Sequence, residues 1–249
     1  MDLAPAANTY ATFASARRST SVLSGNQRAQ YVVLSIVWAI VSVLFWRFWL
    51  SRPHEGAPAL FWIATASFFY ETTVLPSVYL FFLGQMRVPT PVAAPNGLRV
   101  AMITLCVPSK ESLDIIERQI RHMVAVTYPH DTWVLDEERD PRVAALCRLH
   151  GARHFSRKGV EAWNRPGPPY QAKTKAGNVN AWLLSAGRGY EYFVQLDVDH
   201  HPRPDYLDRV LGHFGDPRVA WVQAPSVYGN LESWTARGSA EQELVLVFA

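Results

Sequence analysis

The sequence predicts a mostly parallel α/β domain that follows a pair of membrane-spanning helices. Two long apolar runs lie in the first third of the 249-residue chain, and short strands and helices alternate from Leu98 onward. Such alternation is typical of a parallel sheet covered by helices. A short aromatic and β-branched run that begins at Tyr192 leads to two carboxylates, Asp197 and Asp199. We therefore expect the chemistry of the chain at the carboxyl end of this strand.

Composition excludes some classes of protein. The formal net charge is only +3, so nucleic acid is not an expected partner. The hydrophobic share of 49% and the nine tryptophans are high for a soluble chain. Cys106 and Cys147 lie in apolar surroundings without metal-ligand spacing, which predicts reduced core residues of a cytosolic domain.

The first apolar run predicts a transmembrane helix. Residues 1–30 are rich in Ala, Ser and Thr and lack periodicity, so a disordered cytoplasmic segment is expected there. Residues 31–50 contain a single charge, Arg47, and a helix of this length crosses about 30 Å of hydrocarbon. The alternative, a cleaved signal peptide, is disfavoured because the run is long, aromatic and lacks a small-residue cleavage site.

The second apolar run, residues 58–83, completes a predicted helical hairpin and contains Glu71 near its middle. A carboxylate at that depth costs about 2.5–3.5 kcal/mol on insertion scales. Two interpretations stay open. Either Glu71 faces further membrane helices, or it is protonated and hydrogen-bonded within the hairpin.

Basic residues predict the orientation of the hairpin and its place in the plasma (inner) membrane. Only one arginine lies between the apolar runs, whereas several lie on the side of the chain ends, which should therefore be cytoplasmic. These flanking residues are Arg17, Arg18, Arg28, Arg87 and Arg99, and the one between the runs is Arg52. Residues 84–97 are rich in proline and are expected to form a linker to a domain at 98–249.

Apolar periodicity and turn residues predict the elements of this domain. Ser112 opens a run with helical spacing, and Asp140-Pro141 is a cap followed by a first-turn proline. Strands are predicted at 98–107, 132–135, 152–155, 192–197 and 219–223, and helices at 112–124, 140–149, 175–186 and 204–214. The Gly- and Pro-rich residues 157–172 are expected to form a loop.

Polar side chains follow three of these strands. Ser109 and Glu111 follow the first, Asp136 the second, and Asp197 and Asp199 the fourth. Ligands of parallel sheets bind outside the carboxyl ends of the strands, so a shared site is expected. Several carboxylates at one edge favour Mg²⁺ or Mn²⁺ together with a phosphate-bearing ligand. For Asp-x-Asp alone, two solvated carboxylates in a loop are the alternative.

An ordered set of motifs resembles the processive family 2 glycosyltransferases of the cellulose-synthase type. The resemblance covers residues 98 to about 243, and a membrane hairpin before the domain is typical of the family. The first motif is one residue shorter than the family's Pro-Ser/Thr-x-x-Glu turn. The motifs are Val107-Pro108-Ser109-Lys110-Glu111, Lys175-Ala176-Gly177-Asn178-Val179-Asn180, Asp197-Val198-Asp199-His200 and Val222-Gln223-Ala224-Pro225.

This resemblance implies the GT-A nucleotide-sugar-binding fold. It implies inverting transfer of a sugar from a UDP-sugar to a growing polysaccharide, with Mg²⁺ or Mn²⁺ on the diphosphate. Asp199 would coordinate the metal, and Asp197 would contact the donor or the water shell of the metal. Roles in donor binding are implied for Asp136, Ser109 and Glu111 near uridine, and for Lys175 and Asn178 near the diphosphate or base. His200 would touch the metal or support its ligands, whereas His201 is expected to be an ordinary loop histidine.

The sequence departs from the family pattern near its end. The family places its general base in a Thr/Ser-Glu-Asp motif, and an acceptor-site Gln-x-x-Arg-Trp motif follows later. The late acids Glu232, Glu241 and Glu243 lie in neither motif, and residues 238–248 are expected to start a helix. The prediction is a donor-binding N-terminal part, with its base beyond Ala249, that binds UDP but polymerises nothing.

Two other classes of protein are kept as alternatives. One is a non-catalytic membrane scaffold with a retained glycosyltransferase fold, which would have no need of buried acids. The other is a nucleotidyltransferase, which also uses paired aspartates with metal. A preference for UDP over ATP or CTP would discriminate between these classes, whereas the sugar and the linkage stay open.

Overall fold

A computed structural model describes residues 19–51, 57–224, 226–229 and 231–240. The chain divides into two compact units, which are described separately. Pro91–Val222 forms one unit, and residues 19–90 and 223–240 belong to the other. The predicted disorder of residues 1–18, the turn at 52–56, and Glu241 and Glu243 with most of the helix expected at 238–248 fall outside the described residues.

Two long apolar helices dominate the smaller unit, as the sequence predicts. Helix α1 spans Gly25–Ser51, and a second continuous helix consists of α2 (Pro58–Phe69), a π-helical turn (Tyr70–Val74) and α3 (Leu75–Gln85). Windows within them reach mean hydropathies of 2.0 and 1.2, and neither window is buried. Their length and composition would allow each to cross a membrane.

The start of the hairpin corrects the predicted disorder for residues 19–30. Strand β1 (Ser19–Ser21) pairs antiparallel with β2 (Arg87–Pro89), so both ends of the hairpin are tied together. Ser24 and Gln27 then form a reciprocal cap, in which the Ser24 amide donates to Gln27 Oε1 at 2.9 Å. The amide of Gln27 donates back to Ser24 Oγ at 3.4 Å. This capping box starts α1 six residues before the predicted position because it satisfies amides that a helix start leaves free.

Indole hydrogen bonds join the two helices within the apolar hairpin. Trp49 Nε1 donates to Thr65 Oγ1 at 3.0 Å, and Trp46 Nε1 donates to Thr73 Oγ1 at 2.8 Å. Trp49 also stacks on Phe61 with ring centroids 5.6 Å apart. The polar atoms of these side chains are thus satisfied without water, as a lipid environment requires.

Glu71 lies in the π-helical turn, and its side chain is exposed. The hydrogen bonds among the described residues do not include it, so the hydrogen-bonded interpretation within the hairpin finds no partner there. The other interpretation, contact with further membrane helices, stays a prediction.

The larger unit confirms the predicted α/β fold with a parallel sheet. Four parallel strands have the order β5-β4-β3-β6. They are β3 (Val100–Cys106), β4 (Asp131–Asp136), β5 (Arg153–Phe155) and β6 (Tyr192–Leu196), with helices α4 (Leu113–Val124), α5 (Pro141–His150), α6 (Lys175–Leu184) and α7 (Tyr206–Val210). Short 3₁₀ turns lie at Glu161–Trp163, Gly187–Gly189 and Leu211–Gly215.

Local signals in the sequence account for most of these boundaries. Ser112 caps α4 by accepting from the Ile115 amide, and Asp140 caps α5 ahead of Pro141. Strand β3 is buried along its whole length, as expected for the apolar central strand of a parallel sheet. Cys106 and Cys147 are free and buried, which confirms their assignment to the core.

Two expected elements near the end of the unit differ from the prediction. The helix predicted at 204–214 is α-helical only over Tyr206–Val210 and then tightens into the 3₁₀ turn that contains Gly212. The strand predicted at 219–223 is absent from the described residues. There Val222 packs against the core, whereas Trp221 is 79% exposed. One partly buried side chain without a ladder partner is insufficient to form a strand.

Candidate functional site

The carboxyl ends of three neighbouring strands bring the predicted site residues to one edge of the sheet. Cys106 at the end of β3 pairs with Asp136 at the end of β4. On the other side of β3, Thr104 pairs with Leu196, the last residue of β6. The turns that carry Ser109, Asp136 and Asp197 therefore begin side by side.

Asp136 is fully buried, and both of its carboxylate oxygens are engaged. Oδ1 accepts from the Glu138 amide at 2.8 Å, and Oδ2 accepts from the Asp140 amide at 2.6 Å. His154 Nε2 lies 3.0 Å from the same Oδ2. In this arrangement Asp136 holds the turn after β4, and its expected contact with uridine stays a prediction.

The turn after β3 is closed by acidic side chains. Glu138 accepts from both the amide and the hydroxyl of Ser109, at 2.8 and 2.6 Å. Glu111 folds back and accepts from the Val107 amide at 2.8 Å. Sequence analysis missed Glu138 because its partner is 29 residues away in the chain.

Sequence analysis also missed Arg157, whose side chain bonds several parts of the site. Its buried guanidinium makes two bonds to the Glu137 carboxylate, at 3.1 and 2.7 Å. It also donates to backbone oxygens of Trp163, Gln171 and Thr174, at 3.0 to 3.1 Å. The predicted loop is thereby folded around the guanidinium of Arg157. No local pattern in a Gly- and Pro-rich stretch indicates such a set of hydrogen bonds.

The start of α6 is built against that loop. Thr174 Oγ1 caps the helix by accepting from the Gly177 amide at 3.0 Å. A Cβ atom on Gly177 would lie 2.1 Å from the Gln171 carbonyl oxygen, so this position of the Lys-Ala-Gly-Asn motif requires glycine. Asn178 is buried, and its Oδ1 has no hydrogen-bond partner among the described residues.

The two aspartates after β6 lie in a turn, and the strand ends one residue before its predicted end at Asp197. Strand β6 ends at Leu196, and the His200 amide closes the turn by donating to the Asp197 carbonyl oxygen at 3.0 Å. Val198 points into the core between them. Asp197 is 44% exposed and pairs with Lys175 Nζ at 2.5 Å, whereas Asp199 is 73% exposed and 3.9 Å from His200 Nε2.

The donor set of this turn suits a metal that arrives with a ligand. Within the described residues no three His, Cys, Asp or Glu side chains form a cluster that could hold an ion. Mg²⁺ is commonly held by one or two carboxylates plus substrate phosphates and water. Asp199 and Asp197 fit that pattern because both carboxylates reach solvent.

His201 differs from the ordinary loop histidine expected from the sequence. Its Nδ1 lies 3.0 Å from Oε1 of Gln119, a fully buried side chain of α4. Its ring stacks on His122 with centroids 4.6 Å apart. Loss of hydration lowers the pKa of His201, and the nearby His122 and Arg118 lower it further.

Curated proteins that are similar to this chain include a cellulose synthase catalytic subunit and a probable mannosyltransferase. A cellulose synthase catalytic subunit (UDP-forming) of Pseudomonas fluorescens is 29% identical over 205 residues, which cover 79% of this chain and 26% of that protein. A probable glucomannan 4-β-mannosyltransferase of Arabidopsis thaliana is 26% identical over 133 residues, which cover 49% of this chain and 24% of that protein. No family model matches the sequence.

A solved structure shows a weaker likeness. It is a mannosyltransferase from Pyrobaculum calidifontis in complex with GDP-Man and Mn²⁺, with a TM-score of 0.39 and 17% identity. The match covers 79% of this chain and 47% of that one.

The curated relatives show that the chain is similar in sequence to glycosyltransferases. More particularly, the chain is similar to the cellulose-synthase-like glycosyltransferases, which confirms the resemblance predicted from its motifs. The matched segments span only about a quarter of the length of these curated relatives.

Proposed function

We propose that this chain binds a UDP-sugar and a divalent cation as the donor-binding part of a membrane-bound, inverting polysaccharide synthase. The observation that carries the proposal is the open turn after β6, where Asp197 and Asp199 reach solvent beside Lys175. The relatives support it because the cellulose synthases among them are named as UDP-forming.

In this proposal the open turn receives the diphosphate. Asp199, with Asp197 beside it, would hold Mg²⁺ or Mn²⁺, and the bound cation would supply positive charge against the charge of the leaving diphosphate. Lys175 is paired with Asp197 at 2.5 Å, and it is well placed to exchange that carboxylate for a phosphate oxygen. Asn178 Oδ1 lacks a partner among the described residues and is available to a donor group of the ligand.

The uridine is proposed to lie against the neighbouring turns. The Ser109 hydroxyl is bonded to Glu138, and this exposed pair forms the polar surface there. Asp136 and Glu111 act on it through the backbone that they hold, because both carboxylates accept amide hydrogen bonds. The three residues expected near uridine thus keep that role in the proposal, Ser109 directly and Asp136 and Glu111 through the backbone.

The apolar hairpin is proposed to anchor this domain on the cytoplasmic side of the plasma (inner) membrane, as part of a multi-pass protein. Both helices have the length and hydropathy for a span, and their aromatic side chains hydrogen-bond within the hairpin. The acceptor is a nascent polysaccharide, and the general base that the family resemblance implies is expected outside the motifs of this chain.

The test is calorimetric titration of UDP into the detergent-solubilised chain with and without Mn²⁺. We expect binding that depends on the cation, prefers UDP over ATP and CTP, and is lost in Asp199→Asn. The matched control is Glu191→Gln. Glu191 is a carboxylate directly before the amino end of β6, and it accepts a hydrogen bond from the Arg99 amide. A folded chain that binds no UDP with Mn²⁺ contradicts the proposal and favours the non-catalytic scaffold.

A further inference from the structure

We propose that Gln119 is a positioning residue that holds the turn carrying Asp197 and Asp199 in the geometry required for metal binding. The inference rests on the proposed function and adds to it a residue that lies outside the motifs. Gln119 belongs to α4, and its side chain is fully buried although it is polar. A buried carboxamide is costly unless both of its ends are bonded.

Both ends of this carboxamide are bonded to the residues that follow the aspartates. Gln119 Nε2 donates to the His200 carbonyl oxygen at 3.0 Å, and Oε1 lies 3.0 Å from His201 Nδ1. Because a carbonyl oxygen only accepts, the amide nitrogen must face His200. Oε1 then faces His201, which must carry its proton on Nδ1. The two hydrogen bonds therefore define one orientation of the amide and one tautomer of the ring.

The same helix holds the turn at a second point. Val198, between the two aspartates, is buried in an apolar cluster with Ile116 and Ile120 of α4. Apolar packing at Val198 alone permits small sliding of the backbone, whereas directional bonds at His200 and His201 do not. Helix α4 thus restrains the turn both between its aspartates and directly after them.

Asp199 depends on this restraint because little else orients it. Its carboxylate is 73% exposed, and its ion-pair distance to His200 Nε2 is a long 3.9 Å. Ligands must be held within about 0.5 Å of their productive positions, which groups behind them provide. Loss of such supporting hydrogen bonds typically lowers metal affinity about 10- to 100-fold.

Gln119→Met tests the inference because it keeps the side-chain length and removes both hydrogen bonds. The matched control is Thr132→Val, which removes a buried hydrogen bond to His130 at the amino end of β4. In calorimetry of the full chain with UDP, we expect Gln119→Met to weaken the apparent Mn²⁺ affinity about 10-fold or more. Any residual UDP binding without metal should be equal in wild type and Gln119→Met, and Thr132→Val should keep the metal dependence of the wild type.

A second pair of variants keeps the test valid if Gln119→Met does not fold. His201→Asn retains an N–H group that can reach Gln119 Oε1, whereas His201→Leu does not. We expect His201→Asn to keep the wild-type Mn²⁺ affinity and His201→Leu, which removes one of the two hydrogen bonds of Gln119, to weaken it. A role in stability alone would shift unfolding in these variants and leave the Mn²⁺ affinity unchanged, which would overturn the inference.

The outcome for the wild type separates the two proposals. Metal-dependent UDP binding that is equally strong in wild type, Gln119→Met and His201→Leu overturns the positioning role only. A folded wild type without metal-dependent UDP binding overturns the proposed function and this inference with it.

Discussion

The turns after β4 and β6 both place acidic side chains at the same edge of the sheet, but they use them differently. After β4, Asp136 has no exposed surface, and three polar hydrogens surround its oxygens. After β6, Asp197 and Asp199 reach solvent. A carboxylate whose oxygens already accept hydrogen bonds from the protein stabilises the local backbone. A carboxylate that faces solvent is able to bind a ligand. Asp136 therefore supports the site, whereas the open turn keeps the binding role that is proposed for it.

The largest expected effect is the loss of stability in Asp136→Ala, and its absence would contradict the difference between the two turns. Asp136→Ala leaves two backbone amides and His154 without their acceptor in a buried position, so it should destabilise the α/β unit by about 3–5 kcal/mol. Asp197→Ala should change stability by no more than about 0.5 kcal/mol, because its partner Lys175 is exposed.

Thiol labelling measures this difference without interference from the hairpin. Both cysteines of the chain are buried in the α/β unit, so their reaction in denaturant reports the unfolding of that unit. Equal destabilisation by Asp136→Ala and Asp197→Ala would show that the two turns do not differ in the way proposed.

A second variant sharpens the comparison, because the open turn depends on a closely packed neighbour. Gly177→Ala places a Cβ 2.1 Å from the Gln171 carbonyl oxygen and 2.6 Å from Arg157 Nη1. We expect a loss of about 1–3 kcal/mol by thiol labelling. Gly189→Ala, where nothing lies within 4 Å of the added atom, is the control and should have little effect.

A smaller effect is expected at the cap of α6. Thr174→Val removes the acceptor for the Gly177 amide and the donor to Gln171, so it should cost about 1 kcal/mol. Thr174→Ser keeps the hydroxyl and should retain most of the stability. An unchanged unfolding midpoint in Thr174→Val would mean that the Arg157 bonds alone hold the start of α6.

A separate effect, outside this order of size, concerns pH. Burial raises the pKa of Cys147 to about 12, and it raises that of Cys106 further, with help from Asp136. The folded chain therefore retains these protons more strongly than the unfolded chain. Its stability is complete below the ordinary thiol pKa and should fall as pH rises from about 9 toward 12.

The measurement is tryptophan fluorescence unfolding at pH 8 and pH 10 in wild type and in the double variant Cys106→Ala, Cys147→Ala. The variant should lose part of the pH dependence. An identical pH dependence in both proteins would assign the effect to other groups.

Local sequence patterns predicted most of the fold and placed the candidate residues at one edge of the sheet. They did not predict the hydrogen bonds of these residues. The caps at Ser112 and Asp140 and the apolar strand β3 depend on neighbouring residues, so their elements were predicted correctly. Gln119 and Arg157 act through hydrogen bonds to residues distant in sequence, and no spacing rule indicates them. The prediction of a strand at 219–223 was wrong because a strand needs a neighbouring strand to pair with. Apolar spacing is visible in the local sequence, whereas the pairing of strands depends on the whole sheet.

The π-helical turn in the hairpin has a consequence for the phase of the helix around it. Phe61, Thr65, Phe69 and Thr73 all contact tryptophans of α1, and they recur every four residues. An α-helix rotates about 100° per residue, so a row with this spacing drifts by about 40° at each step. The wider turn at Tyr70–Val74 rotates less per residue, so it reduces the accumulated rotation of this row. The hairpin therefore keeps Thr73 in line with Trp46, and deletion of one residue from that turn would direct α3 away from α1.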